Sequence, residues 1–392
     1  MKRKILWVGD AGCDSGFAKA THYTLGNKPG EGLSTTYDCY VEALNYRGDG
    51  NIARRYPHLT MYPSWVAGGD LFGVRRIRDL VIQIRPDVIV IQQDPWNFNA
   101  YLEEVKDIDI PVVGIVALDG YNMMFSPALN RLDRIIWWQK FAQEEGRKAG
   151  VTTPSAVIGL GVDRSIFKPG DRMEARKRIG LPDDVINGFI VGNVNRNQPR
   201  KRMDLTVKYF ADWVNARSIR DAYLYLHVAP TGDQGYQCDQ LAKYYGVNDR
   251  MIYAEPQMWK STPEHWVVTT MQAFDVLVST TQGEGMGLTT LEAMACGIPC
   301  IVPDWSALGE WAKPGAWMVP CDNISVTPRA NVIGGVPSQD EFIHALETLY
   351  VNTSSREKLA QKGLALSMEP QFNWKLIADA VARELEAALL KL

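Results

Sequence analysis

The chain has little that would make a metal or thiol enzyme. Six cysteines (Cys13, Cys39, Cys238, Cys296, Cys300 and Cys321) are scattered over 392 residues, and none forms a Cys-x-x-Cys pair. They read as reduced thiols of a cytoplasmic protein. The five histidines, His22, His58, His227, His265 and His344, lack metal-ligand spacing and read as structural, with only His22 beside a glycine turn. The order of serines, histidines and aspartates supports no catalytic triad. No apolar run approaches a membrane span. The start, Met1-Lys2-Arg3-Lys4-Ile5-Leu6-Trp7-Val8, is basic and then apolar, but too short for a secretory h-region. A net charge of −3 excludes a uniformly basic coat for nucleic acid and leaves room only for a local basic groove. Two glycosylation sequons, at Asn323 and Asn352, carry no meaning in a cytoplasmic chain.

What is present is ordinary for a soluble enzyme: 46% hydrophobic and 22% charged residues, with a length that predicts about two domains. Twelve tryptophans are a high count. They suit large core residues first and stacking platforms second.

Strand and helix signals alternate along the chain. Ile5–Val8 predicts a buried strand that runs into the turn Gly9 to Ala18 and then a helix to Leu25. Apolar, β-branched runs at 86–92, 111–116 and 157–160 have parallel-strand character. A break comes at Gly161-Val162-Asp163, ending in Phe167-Lys168-Pro169-Gly170. A second series follows at 188–194, 222–228, 251–254, 274–279 and 299–302, and an amphipathic helix after Trp374 closes the chain. Repeated βα units predict doubly wound parallel sheets, which place ligands at the carboxyl ends of their strands.

The most informative stretch is Gly283-Glu284-Gly285-Met286-Gly287-Leu288-Thr289-Thr290-Leu291-Glu292-Ala293-Met294-Ala295-Cys296-Gly297, directly after a strand signal. It reads as strand, glycine turn, helix N-terminus. Free amides at such a terminus suit a phosphate or diphosphate. Glu284 in the loop can face a neutral group such as a sugar hydroxyl. Glu292 lies too deep in the helix to be a cap and can reach a second hydroxyl. Otherwise the stretch is a βα turn with solvated glutamates.

This stretch resembles the E-x7-E signature of retaining glycosyltransferases of the GT-B fold, in particular glycosyltransferase family 4. The likeness extends from Glu-Gly-Met-Gly-Leu through Leu-Glu-Ala-Met-Ala-Cys-Gly-Ile-Pro. The break at 161–170 is similar to the family's interdomain segment, with Leu160 where asparagine is usual. The Ser15-Gly16-Phe17 loop is similar to one found in family members, including a bacteriophage subgroup. The resemblance implies an α/β fold of two Rossmann-like domains facing a cleft. Residues 1–168 would bind the acceptor, 169–187 would link, 188–370 would bind the nucleotide sugar, and the helix of 371–392 would pack back on the first domain.

It also implies roles. Glu284 would touch the donor sugar and Glu292 the ribose, with Gly285, Gly287 and the amides of Leu288 and Thr289 around the phosphates. Arg196 and Lys201 match a family Arg/Lys pair on the diphosphate, although Arg200 and Arg202 compete for the second place. The charge logic is independent of the family: fixed cations stabilise a departing diphosphate more than the bound donor. Alternatively, the run is a solvated basic loop. Gly16 would let the backbone approach the donor or acceptor closely. Asp119, where the family often has histidine, either accepts a hydrogen bond from the acceptor hydroxyl or the donor sugar, or acts as a base, or is an Asp-Gly turn residue.

No cofactor or metal is expected. Asp107-Ile108-Asp109 copies a metal-binding string of the other major glycosyltransferase fold but sits at a helix-to-strand connection. The implied reaction is metal-independent hexose transfer from a nucleotide sugar, UDP-sugar favoured, with retention. The acceptor is a saccharide, a lipid-linked sugar, a protein or a hydroxymethylated pyrimidine in DNA. The last rests on Arg54-Arg55, on Arg75, Arg76 and Arg78, and on Pro95-Trp96-Asn97-Phe98, basic residues interleaved with aromatics. A non-catalytic nucleotide-sugar-binding subunit is the reading from another class.

Overall fold

Short apolar runs become the inner strands of two parallel sheets. The structure, a computed structural model, describes residues 2–13, 15–48, 54–65, 70, 72–228, 234–254, 262–328 and 330–390. The chain divides into two units, Met1–Gly161 with Pro370–Leu392, and Val162–Glu369.

The first unit holds β1 (Arg3–Asp10), β2 (Tyr37–Leu44), β3 (Thr60–Pro63), β4 (Val88–Gln93), β5 (Val112–Val116), β6 (Arg134–Trp137) and β7 (Ser155–Val157). Their order is β3-β2-β1-β4-β5-β6-β7, every pairing parallel. A sheet covered on both faces needs strands that are apolar throughout. The core therefore holds Ile5, Leu6, Trp7 and Val8 of β1 beside Val88 to Ile91 of β4, all buried. The strand expected over 157–160 lies slightly earlier, at Ser155–Val157.

The second unit repeats the plan with β8 (Phe189–Val194), β9 (Ala222–His227), β10 (Met251–Tyr253), β11 (Val276–Val278), β12 (Cys300–Pro303) and β13 (Trp317–Val319). The order is β10-β9-β8-β11-β12-β13. An antiparallel pair, β14 (Cys321–Val326) and β15 (Ile333–Pro337), is added to it. Each unit is thus a Rossmann-like doubly wound sheet. In each, the winding direction reverses once, between β1 and β4 and between β8 and β11. Ligands of such sheets bind outside the carboxyl ends of the strands at that reversal.

The C-terminal helix, Trp374–Leu389, starts at Asn373, whose side chain accepts from the Lys375 amide at 2.9 Å. Trp374 stacks on Tyr23 of the first unit at 5.1 Å. Glu384 pairs with Arg134 at 2.6 Å, and Glu386 accepts from the Tyr37 hydroxyl at 2.5 Å and pairs with Arg3. Among the described residues no helix is long and apolar enough to cross a membrane.

Residues 169–187 carry the helix Arg172–Arg178, opened by Asp171, whose carboxylate accepts from the Glu174 amide at 2.8 Å. Its Arg176 is buried and spends its donors on the second unit. Nε donates to the Ala273 carbonyl at 2.9 Å, Nη1 to the Ile186 and Gly188 carbonyls at 2.8 and 3.0 Å, and Nη2 to Asp275 at 2.6 Å. Asp275 also accepts from the Ile190 amide at 2.7 Å and from the half-exposed Arg172 at 2.7 Å. Removing one partner of a buried pair strands the other's charge. Arg176→Met should therefore lower the unfolding free energy by about 3–5 kcal/mol, whereas Arg172→Ala should cost about 1 kcal/mol or less. Urea unfolding of the two variants beside the wild type measures both.

Candidate functional site

In the second unit the site is built from the loops that follow β8 and β11, the strands on either side of the reversal. After β8 the chain runs through Asn195 to Gln198 into a single 3-10 turn, Pro199–Lys201, and Arg202 enters the helix Met203–Ala216 in the left-handed region at φ 50°. Two buried asparagines hold this loop. Asn193 donates to Thr206 at 3.1 Å, and Thr206 shares a 2.6 Å hydrogen bond with Thr280 at the end of β11. Asn197 pairs with the Tyr236 main chain on both sides, accepting from its N–H at 2.9 Å and donating to its carbonyl at 2.7 Å.

The loop after β11 reaches Glu284 through Thr281, Gln282 and Gly283, all buried. The Gln282 amide donates to the Arg200 carbonyl at 2.9 Å, which joins the two loops main chain to main chain. On the other side the Gly335 amide of β15 donates to the Gln282 carbonyl at 2.8 Å. A Cβ on Gly334 would come within 2.6 Å of the Gln282 Cβ, so the hairpin seats closely on the loop. Gly287 then turns the chain at φ 84° into the helix Leu288–Ala295, where Leu308 leaves no room for a side chain. The opening amides of a helix lack intrahelical acceptors. Leu288 and Thr289 occupy that position here, partly exposed.

The carboxylate of Glu284 is the centre of the arrangement. Lys201 Nζ lies 2.5 Å from Oε1 and Arg200 Nη1 lies 3.2 Å from Oε2, with all three side chains at least three-quarters buried. Arg200 also donates to the Gly283 carbonyl. Burial alone would push the Glu284 carboxyl up. The charges of Lys201 and Arg200, with hydrogen bonds from Lys201 and Thr281, outweigh it and hold the group down at about 2. Glu284 is therefore a fixed anion at any working pH, able to accept hydrogen bonds but not to donate a proton. Its backbone is pinned by Ser306, whose Oγ accepts from the Glu284 amide at 2.9 Å and donates to its carbonyl at 3.2 Å.

The three basic residues take different partners. Lys201 and Arg200 both turn to Glu284, whereas Arg202 forms a fork with Asp204 at 2.9 and 2.8 Å. Arg196 lies on the exposed part of the same loop. Gly285 is buried between Glu284 and the helix, and Glu292 is buried one turn inside it. Arg200 and Ser306 are the additions that sequence reasoning did not assign. Arg200 carried a signal in the basic run. Ser306 carried none, because its role depends on the fold returning β12 to the loop.

Gly16 and Asp119 belong to the first unit. Gly16 is exposed at the first position of the helix Gly16–Leu25, behind Ser15. The Ser15 hydroxyl accepts from the Ala18 amide at 3.0 Å and donates to Asp10 at 2.9 Å. Asp14 lies outside the described residues. The glycine that close packing demands in this loop is Gly12, where a Cβ would meet Tyr46 at 2.4 Å. Asp119 is partly exposed after β5. His22 is buried against the Ala11 carbonyl at 3.1 Å and stacks on Tyr56 at 3.9 Å.

Several basic and acidic residues singled out earlier are used internally. Arg78 forms a two-pronged pair with Asp107 at 2.6 and 2.7 Å, and Arg76 donates to the Pro63 carbonyl.

A family profile described as "Glycosyl transferases group 1" matches residues 187–352, which span every element of the Glu284 site. That segment, rather less than half of the chain, is therefore similar to the glycosyl transferases group 1 family. The chain is also similar to a D-inositol 3-phosphate glycosyltransferase of Acidothermus cellulolyticus, 33% identical over 183 residues, which are 45% of this chain and 39% of the relative. The enzyme of the same name from Stackebrandtia nassauensis is 30% identical over 237 residues, 59% of this chain and 47% of the relative. The chain thus spans less than half the length of these curated relatives. Over nearly its whole length it is similar in structure to a sucrose-phosphate synthase of Thermosynechococcus elongatus, with a TM-score of 0.77, 16% identity and coverage of 99% and 100%. The Anabaena protein Alr3699/HepE, solved with UDP and glucose, gives a TM-score of 0.73 at 18% identity, with coverage of 98% and 100%. These likenesses show the fold, GT-B, and not the substrate.

The acid limb of stability follows from the ionised Glu284. A carboxyl whose folded value is lowered contributes stability that is present above its unfolded value, about 4.3, and is lost as pH falls through the folded value, about 2. Thermal unfolding of the wild type should therefore weaken between those limits. In Glu284→Gln that part of the pH slope should vanish, with lower stability at neutral pH from the two stranded cations. Melting curves from pH 5 to pH 2 on both proteins check the sign.

Proposed function

We propose that the chain moves a hexose from a UDP-sugar to an acceptor hydroxyl, with retention of configuration and without a metal ion. One observation carries the reading. An obligatory anion, Glu284, sits between two cations and beside open helix amides, at the strand ends where the sheet reverses. A buried carboxylate of this kind accepts hydrogen bonds from sugar hydroxyls. Lys201 and Arg200, with Arg196 on the same loop, supply positive charge for a diphosphate, and the amides of Leu288 and Thr289 add dipoles of the same sign. Glu292 holds the ribose. Asp119 and Gly16 serve the acceptor side.

In this mechanism the bond from the anomeric carbon to the phosphate oxygen breaks, and its electron pair leaves with the nucleoside diphosphate. The acceptor oxygen attacks the same face and forms the new bond. Its proton passes to the departing phosphate oxygen. Lys201 and Arg200 stabilise the charge that grows on that oxygen, so part of their attraction shifts from Glu284 to the leaving group during the reaction. The neighbour solved with UDP and glucose supports a UDP-sugar donor. Arg78, counted among the residues for a DNA acceptor, pairs with Asp107 at the surface, a contact weak enough to exchange for a phosphate, so the saccharide reading rests on the Glu284 site instead.

Lys201→Ala should reduce kcat by about a hundredfold or more, as loss of a preorganised electrostatic contact does. Glu292→Ala should instead weaken UDP binding, and Glu284→Ala should lower turnover with the sugar. Activity should survive EDTA. Isothermal titration with UDP and steady-state release of nucleoside diphosphate measure these effects. Wild-type kinetics in Lys201→Ala, or activity abolished by EDTA and restored by manganese, would reject the mechanism.

A further inference from the structure

We propose that Trp96 and Phe125 form an aromatic corner in the first unit that takes the pyranose ring of a neutral saccharide acceptor. This deepens the glycosyl-transfer reading and rests on it. Both residues are large, hydrophobic and exposed, Trp96 at 38% and Phe125 at 36%. Their rings meet edge to face, with centroids 6.4 Å apart and planes at 66°. Trp96 lies in the turn after β4, and Phe125 in the segment after β5. The corner therefore stands at carboxyl ends of strands beside the β1/β4 reversal, where sheets of this type bind ligands. Packing within the unit explains Phe98, which is fully buried two residues after Trp96, but not the exposure of this pair.

Backbone conformation gives a second, independent argument. Phe125 is held at φ 71° and ψ 15°, a left-handed conformation unfavourable for a bulky residue. Asn122, three residues earlier, is also left-handed at φ 64°. Glycine would take the position of Phe125 without strain. A bulky ring kept there against its backbone preference marks a site where the ring itself is required.

The shape and charge around the corner select the ligand. A pyranose presents an apolar C–H face to one ring and its edge to another, which suits planes at a steep angle. Single-stranded nucleic acid instead uses successive platforms on which bases stack in series, together with a positively charged groove for the backbone. Here the same two loops carry carboxylates. Asp94 precedes Trp96 by two residues, and Asp119 precedes Phe125 by six. Carboxylates accept hydrogen bonds from sugar hydroxyls and repel phosphates.

The test uses the full chain and two readouts. Saturation-transfer NMR would measure binding of maltose, cellobiose, lactose, sucrose and trehalose, with a ten-residue oligo-dT as the anionic, base-bearing probe. Thermal shifts with UDP, GDP and ADP would report the donor side separately. At least one disaccharide should bind the wild type, and its Kd should rise by about fivefold or more in Trp96→Ala and in Phe125→Gly. Trp96→Tyr should retain most of the binding. Glycine offsets part of the lost packing at Phe125 by relieving the left-handed strain, and an unchanged nucleotide shift in Phe125→Gly shows that its loss of binding does not come from misfolding. Nucleotide shifts should be unchanged in all variants.

Silence of every disaccharide with the wild type, undiminished binding in both truncations, or oligo-dT binding that depends on Trp96 would overturn the corner. A wild type that no nucleotide stabilises would instead remove the donor reading and leave the disaccharide result to decide the corner.

Discussion

The site of the second unit depends on a carboxylate that is kept ionised where burial alone would neutralise it. Glu284 can be an anion only because Lys201 and Arg200 approach it from a different loop. Those cations are held there with the help of a main-chain hydrogen bond from Gln282 to Arg200. Electrostatics thus impose a demand on the fold. The strands β8 and β11 must be neighbours, and they are neighbours because the sheet reverses its winding between them. Sheet topology, loop geometry and ionisation state form one chain of cause, and a failure at any link leaves an unpaired charge in a poorly solvated place.

Much of this was legible in the sequence because the decisive features are local. Glycine-rich turns after apolar runs announce strand ends, and the spacing of Glu284 and Glu292 places one in a loop and one in a helix. The strands that escaped notice are those whose patterns are interrupted or short. β2 carries an exposed Asp38 and a buried Glu42, and β6 is only four residues long. The choice among Arg200, Lys201 and Arg202 could not be read from order, because all three lie in one basic run. The structure separates their contacts: the 3-10 turn and the left-handed Arg202 send the first two toward Glu284 and the third back to Asp204. Ser306 was invisible for a different reason: its partner lies 22 residues away, on another strand's loop.

The first unit shows the converse. Its basic and aromatic residues look alike in sequence, yet they separate in three dimensions. Arg78 and Arg76 are taken up by Asp107 and by a main-chain carbonyl, while Trp96 and Phe125 keep their rings exposed. Composition registers all four as candidates for recognition. Only the contacts distinguish residues that brace the unit from residues presented outward.

The hairpin of β14 and β15 has a consequence for anyone who mutates this protein at random. Its Gly335 amide holds the Gln282 carbonyl, and Gly334 packs on the same residue, two positions before Glu284. A library screened for altered turnover will therefore return changes at 334 and 335 that touch no ligand. On a map drawn by distance along the chain they would look like remote, allosteric hits. They act at one remove, at 334 by pressing on Gln282 and at 335 by pressing on Trp305 and Cys321, and belong with the loop they support.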